Sequence, residues 1–207
     1  MIAIIDYKAG NLTSVQRALE KIGEESIITH EPEKILNADH VIFPGVGAAG
    51  AAMQSLNESA IGSTLKQCLS DGKPVLGICL GTQIIMESSE EDGGVDCLGI
   101  IPGHTVRFQF ESPNVTVPQM GWNQVNYVQN HPIFENIDKG TNFYFVHSYY
   151  PNPENAANAL AKTEYSGFEF TSALTMGNLV ATQFHPEKSG RHGLDLLKNF
   201  ANWDGRL

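Results

Sequence analysis

At 207 residues, with 42% hydrophobic and 17% charged side chains, the chain has the composition of a globular protein able to bury one substantial core. A formal charge of −10, with only 13 Lys and Arg available for a basic patch, argues against nucleic acid as a partner. The cysteines Cys68, Cys79 and Cys97 show no C-x-x-C spacing and point to neither a disulfide framework nor a zinc site.

Ile2 to Ile5 reads as a short apolar strand. Without a basic stretch before it, and with Asp6 directly after it, this opening is a strand and not a signal peptide. Gly10-Asn11 is a turn and helix cap, after which Leu12, Val15, Leu19 and Ile22 recur at helical spacing until Gly23 stops the helix. Ser26 to Thr29 and His40 to Phe43 are the next strands, the second running into Pro44-Gly45-Val46-Gly47. Ala51 to Leu69 is mostly helical and closes at Asp71-Gly72, Val75 to Ile78 is a fourth strand, and Thr82 to Met86 starts another helix. Repeated β-α units of this kind imply a parallel sheet covered on both faces.

Beyond about residue 95, Val115-Thr116-Val117, Gln124 to Val128, Asn142 to Tyr149 and Leu179 to Phe184 are strand-like between Gly, Pro and Asn turns, as antiparallel additions would be. Gly193 to Trp203 is a closing amphipathic helix. The fold class is therefore α/β, a mostly parallel central sheet flanked by helices with antiparallel strands added in the second half. With no repeat or dividing linker, residues 1–207 are expected to form a single domain. No apolar run approaches membrane-spanning length, so the expected setting is the reducing cytoplasm, with no membrane partner.

Chemistry enters at Gly77-Ile78-Cys79-Leu80-Gly81, between a strand and a helical segment. This has the form of a nucleophile elbow with cysteine in place of serine: glycines on either side allow the sharp turn, and the helix N-terminus offers N–H groups to the sulfur. Such a run can also be tight packing, and free cysteines are commonly inert, as Cys68 and Cys97 are expected to be. His185-Pro186-Glu187 tips the balance toward a nucleophile. Pro186 holds His185 extended, residues two apart in an extended chain share a side, and a base with its orienting carboxylate results. The oxyanion donors would be the N–H of Leu80 and the loop at Val46-Gly47. His147, in Phe145-Val146-His147-Ser148, reads either as a strand histidine or as part of the substrate site.

Gly45-Val46-Gly47-Ala48-Ala49-Gly50 also matches the dinucleotide fingerprint G-x-G-x-x-G. The strand that follows ends in Cys79 and not in the acid that would bind a ribose, so no nicotinamide site is expected. Scattered histidines give no metal signal. No cofactor or metal is expected.

Pro44-Gly45-Val46-Gly47, Gly77-Ile78-Cys79-Leu80-Gly81-Thr82-Gln83 and His185-Pro186-Glu187 together resemble the class I (triad) glutamine amidotransferases, a flavodoxin-like fold. Asp6-Tyr7-Lys8-Ala9-Gly10-Asn11-Leu12, Met120-Gly121-Trp122-Asn123, Tyr144 to Tyr149 and His185-Pro186-Glu187-Lys188-Ser189 narrow the resemblance to the glutaminase subunits of imidazole glycerol phosphate synthases, in histidine biosynthesis. Lys8 stands where glycine is usual and Gln119 where histidine is usual. The resemblance implies that Cys79, His185 and Glu187 release ammonia from glutamine. It implies that Gln83, Glu91, His147, Ser148 and Tyr149 hold the substrate. It further implies a heterodimer with a (β/α)8-barrel cyclase, contacted by Asn11, Gln119, Trp122, Asn123, Tyr144 and Lys188. Fold and motifs use up all 207 residues, so the acceptor site is expected on that second chain. Alternatives are a glutaminase subunit for an anthranilate, guanylate or pyridoxal phosphate synthase, a partner-free γ-glutamyl hydrolase, and a catalytically silent regulatory subunit.

Overall fold

The computed structural model describes residues 1–8 and 10–206; Ala9 of the opening motif and Leu207 lie outside the described residues. Strand β1 (Ile2–Ile5) is buried at every position, as a strand covered on both faces must be. Helix α1 (Leu12–Lys21) turns Val15, Ala18 and Leu19 inward, and Gly23, at φ 79°, ends it. There follow β2 (Ser26–Thr29), α2 (Pro32–Asn37) and β3 (His40–Gly45). The helical stretch expected over 51–69 is two helices, α3 (Ala49–Asn57) and α4 (Ile61–Ser70). Ser59 lies at the break and donates its hydroxyl to the Leu56 carbonyl, a local bond that competes with helix continuation. Strand β4 (Val75–Cys79) then leads without a linker into α5 (Leu80–Ile84), which is shorter than expected and begins earlier.

The second half holds the short strands β5 (Ser88–Ser89) and β6 (Val95–Asp96), then β7 (Gly103–Arg107), β8 (Gln119–Tyr127) and β9 (Thr141–His147). After these come β10 (Tyr149–Pro153), β11 (Ala159–Tyr165), β12 (Phe168–Met176), β13 (Leu179–Thr182) and α6 (Gly190–Asn202). Two expectations fail here. Val115–Val117 is not a strand: Pro113 and Pro118 on either side lack backbone donors, and the Thr116 carbonyl is taken by the Tyr165 hydroxyl at 2.8 Å. Asn142–Tyr149 is not one strand but two, because the chain changes sheets at Ser148 and Tyr149 pairs with Arg107 of β7.

The nine-stranded sheet has the order β2-β1-β3-β4-β13-β12-β11-β8-β9, and β10-β7-β5-β6 form a smaller sheet. Strands β2, β1, β3, β4 and β13 pair in parallel, and the four beyond β13 add antiparallel. One face packs Ile4, Ile42, Leu76 and Val180 against Val15 and Leu19 of α1 and Leu197 and Phe200 of α6. The other packs Ile5, Val41, Phe43 and Val75 against Met53, Leu56 and Leu65 of α3 and α4. The α/β class expected from the repeated units is borne out. No helix among the described residues is long and apolar enough to cross a membrane.

Register positions the chemistry. Gly45 of β3 lies beside Cys79 of β4, and Thr182 of β13 beside Ile78. The carboxyl ends of three adjacent parallel strands therefore deliver Val46-Gly47, Cys79 and Gln183 to His185 to one sheet edge, the usual place for a site in an open α/β sheet.

Candidate active site

Cys79 has φ 54° and ψ −108°, a conformation that residues with a side chain seldom adopt. Its flanking glycines are required by their neighbours: a Cβ at Gly77 would meet the Ala181 Cβ at 2.9 Å, and one at Gly81 would fall on the Phe43 carbonyl oxygen. The strained turn leaves the sulfur 4.0 Å from the Val146 carbonyl and 3.8 Å from Gln183 Nε2. Burial raises the pKa of the other two thiols, that of Cys97 to about 11, so they are poor nucleophiles.

His185 Nδ1 lies 2.7 Å from Glu187 Oε1, with side-chain exposures of 1% and 0%. Pro186 leads one to expect an extended run through Glu187. His185 is extended, but Pro186–Lys188 forms a 3-10 turn, so the turn and not strand alternation carries the carboxylate to the ring. The turn is pinned by the Ser189 hydroxyl, which donates to the His185 carbonyl at 2.6 Å, and by the His185 N–H, which donates to the Tyr144 carbonyl at 2.9 Å. Burial lowers the His185 pKa, but negative charge at Cys79 and then at Glu187 outweighs it and raises the pKa to about 10. Nε2 is buried with no hydrogen-bond partner, which leaves it for the sulfur.

His147 behaves oppositely. Burial, with the adjacent His185 charge, lowers its pKa to about 3, although its Nδ1–H donates to the Tyr149 carbonyl at 2.7 Å. His147 is thus held as a neutral ring, whereas His185 is the ring whose environment favours holding a proton beside the Cys79 sulfur.

Val46, Gly47 and Leu80, expected as oxyanion donors, line a cavity of about 200 Å³ that reaches Cys79. Gln83, Glu91, His147, Ser148 and Tyr149, expected around the substrate, line the same cavity. A space this small suits one amino acid better than a large ligand. Gly47 has φ 104°, and Leu80 is the first residue of α5. Glu91 Oε2 accepts the Ala49 N–H at 2.7 Å, and Asp92 Oδ2 accepts that of Gly50 at 3.2 Å, which ties the start of α3 to the cavity wall. Burial raises the Glu91 pKa. Gln83 Nε2 donates to the Tyr149 carbonyl at 2.9 Å and to Gln183 Oε1 at 3.1 Å. Gln183, fully buried against the sulfur, was missed as a site residue, although the alternation that singled out His185 places it two positions earlier on the same side.

The residues expected at a partner surface separate into two groups. Trp122 is 55% exposed on β8 and packs edge-on against Tyr144 of β9, its register partner. Lys188 is exposed, and Asn123 is half-buried. Gln119 differs from expectation: its side chain is buried and donates to Asn123 Oδ1 at 2.8 Å, so it shapes this face only from below. Asn11 donates from Nδ2 to Glu187 Oε1 at 2.5 Å. Beside the smaller sheet, exposed Glu87, His104 and Glu154 place one ligand atom each within 4.8 Å of the others, a solvated cluster.

A strand-turn-helix elbow carrying cysteine, with a buried histidine-glutamate pair beside a small polar cavity, is the arrangement that cysteine-dependent acyl transfer requires. Comparison narrows it. The family model for class-I glutamine amidotransferases matches residues 3–203, and the chain belongs to that family. It is 47% identical over 206 residues to the imidazole glycerol phosphate synthase subunit HisH of Nitrosococcus oceani, covering 99% of this chain and 98% of that protein. It is 47% identical over 200 residues to the same subunit of Methanothermobacter thermautotrophicus, covering 97% of each. Among solved structures, PurLQS from Thermotoga maritima superposes with a TM-score of 0.76 at 17% identity, covering 97% of each chain, a likeness of fold.

Proposed function

We propose that this chain is the glutaminase subunit of an imidazole glycerol phosphate synthase and passes ammonia to a separate (β/α)8-barrel cyclase. The observation that carries the reading is the convergence of Cys79, His185 and Glu187 on one sheet edge beside a cavity of about 200 Å³. The near full-length likeness to HisH subunits supports the choice of synthase.

In this reading the Cys79 sulfur attacks the side-chain carboxamide carbon of glutamine, and the carbonyl π electrons move to oxygen. The N–H of Leu80 and the Val46-Gly47 loop stabilise that oxyanion. His185 takes the thiol proton and gives it to the departing nitrogen, the C–N bond breaks, and ammonia leaves a γ-glutamyl thioester. Water then attacks the thioester with His185 as base, the C–S bond breaks, and glutamate is released. Glu187 orients the ring and stabilises its charged form. Free ammonia in water is mostly protonated and no longer nucleophilic, so direct transfer to a consuming partner makes chemical sense. Trp122, Tyr144, Asn123 and Lys188 are the surface proposed to meet that partner.

The test is a glutaminase assay of the pure chain alone and with the cyclase plus its nucleotide substrate. A large stimulation by this cyclase is expected. Equal activity without any partner would point instead to a stand-alone hydrolase.

A further inference from the structure

We infer that Asn11 is a positioning residue that fixes the orientation of Glu187 toward His185. The inference rests on the proposed role of Glu187 as the orienting acid.

Glu187 Oε1 carries two contacts, His185 Nδ1 at 2.7 Å and Asn11 Nδ2 at 2.5 Å, whereas Oε2 is buried with no hydrogen-bond partner. Only the amide NH2 can face a carboxylate oxygen at such a distance, because two acceptors would repel. The terminal torsion of a glutamate is broad and nearly two-fold. One donor would therefore leave Glu187 free to rock between its oxygens, and the second donor selects Oε1.

Asn11 is committed to this contact at the expense of its own helix. It stands at the N-cap of α1 with φ 75° and ψ 5°, left-handed, and its side chain makes no capping bond. Asparagine is among the few residues that tolerate this conformation, and it is ordinarily a good cap. Here the backbone turns left and the amide reaches a residue 176 positions away in sequence. The same turn runs beside the oxyanion segment, since a Cβ on Gly10 would meet Val46 Cγ2 at 3.4 Å. One loop thus touches both halves of the site.

The test compares Asn11→Gly, which keeps the positive φ and removes the amide, with Asn11→Asp, which replaces the donor by an acceptor. Steady-state glutaminase kinetics are measured across pH at saturating cyclase and nucleotide. We expect Asn11→Gly to lower kcat about tenfold with KM within about twofold, the loss of one hydrogen bond to a charged group. Asn11→Asp should lose more at about pH 8.5, and its rate relative to wild type should recover severalfold by about pH 5, because the Glu187 carboxylate beside the new carboxyl raises its pKa and the protonated form again donates. A purely structural role would lower thermal stability without this pH-dependent recovery. Unchanged kcat for Asn11→Gly, or a pH-independent ratio for Asn11→Asp, overturns the proposal; if Asn11→Gly folds poorly, the Asn11→Asp ratio alone decides. Glu187→Gln separates the two levels. Wild-type turnover there removes the role of Glu187 itself, whereas an impaired Glu187→Gln beside a fully active Asn11→Gly removes only the role of Asn11.

Discussion

The side-chain amide of Gln183 donates toward the Cys79 sulfur at 3.8 Å while its carbonyl oxygen accepts from Gln83 Nε2 at 3.1 Å. A donor aimed at sulfur favours the thiolate over the thiol. Gln83 and Gln183 thereby link the wall of the cavity to the nucleophile.

Replacing Gln183 by Leu keeps most of the volume and removes the donor. Alkylation of Cys79 by iodoacetamide near neutral pH should slow by about tenfold, the worth of one hydrogen bond to a charged group. Gln183→Glu should slow it further, since a carboxylate beside the sulfur opposes its charge. Unchanged alkylation rates in both variants would show that Gln183 has no influence on the thiol.

Glu187→Gln keeps the shape of the side chain and removes a charge that raises the His185 pKa. The imidazolium must survive to protonate departing ammonia, so wild-type kcat/KM should fall as pH rises toward about 10. In the variant the raising influence of the carboxylate is gone, and the alkaline limb should move to lower pH. The maximum should drop by about a hundredfold or more, as when the orienting acid of a triad is neutralised. A pH–rate profile with an unmoved alkaline limb would separate Glu187 from His185.

The elbow makes its own demand on packing. Gly77→Ala would press a methyl group against Ala181, the facing residue on β13, and should destabilise the fold by about 1–3 kcal/mol. Adding Ala181→Gly should relieve the clash, so the double variant should lose less stability than the two single variants summed. Urea denaturation measures this directly, and strict additivity would contradict the contact.

The first half of the fold was legible because buried parallel strands announce themselves as unbroken apolar runs, as in His40 to Phe43 and Val75 to Ile78. Strands β11 and β12 left no such trace. Thr163, Ser172 and Thr175 are buried polar side chains, and Thr163 Oγ1 donates to Ser172 Oγ at 2.8 Å, so the inward faces do not read as apolar. Val115–Val117 misled for the opposite reason: β-branched residues favour strands only where a neighbouring strand accepts them. In the site, Val46, Gly47, Cys79 and Leu80 follow strand ends that the β-α repeats imply, whereas Glu91 and His147 to Tyr149 reach the same cavity from outside those repeats and were legible only through the family likeness. The bond from Asn11 to Glu187 joins segments 176 positions apart, with no periodicity to connect them.

In the proposed function Cys79 generates ammonia for a second protein's reaction. The direct measurement is product formation by the reconstituted synthase carrying Cys79→Ala, supplied with either glutamine or ammonium salt. Glutamine-dependent synthesis should be abolished while ammonia-dependent synthesis by the cyclase persists. Continued turnover with glutamine would contradict it.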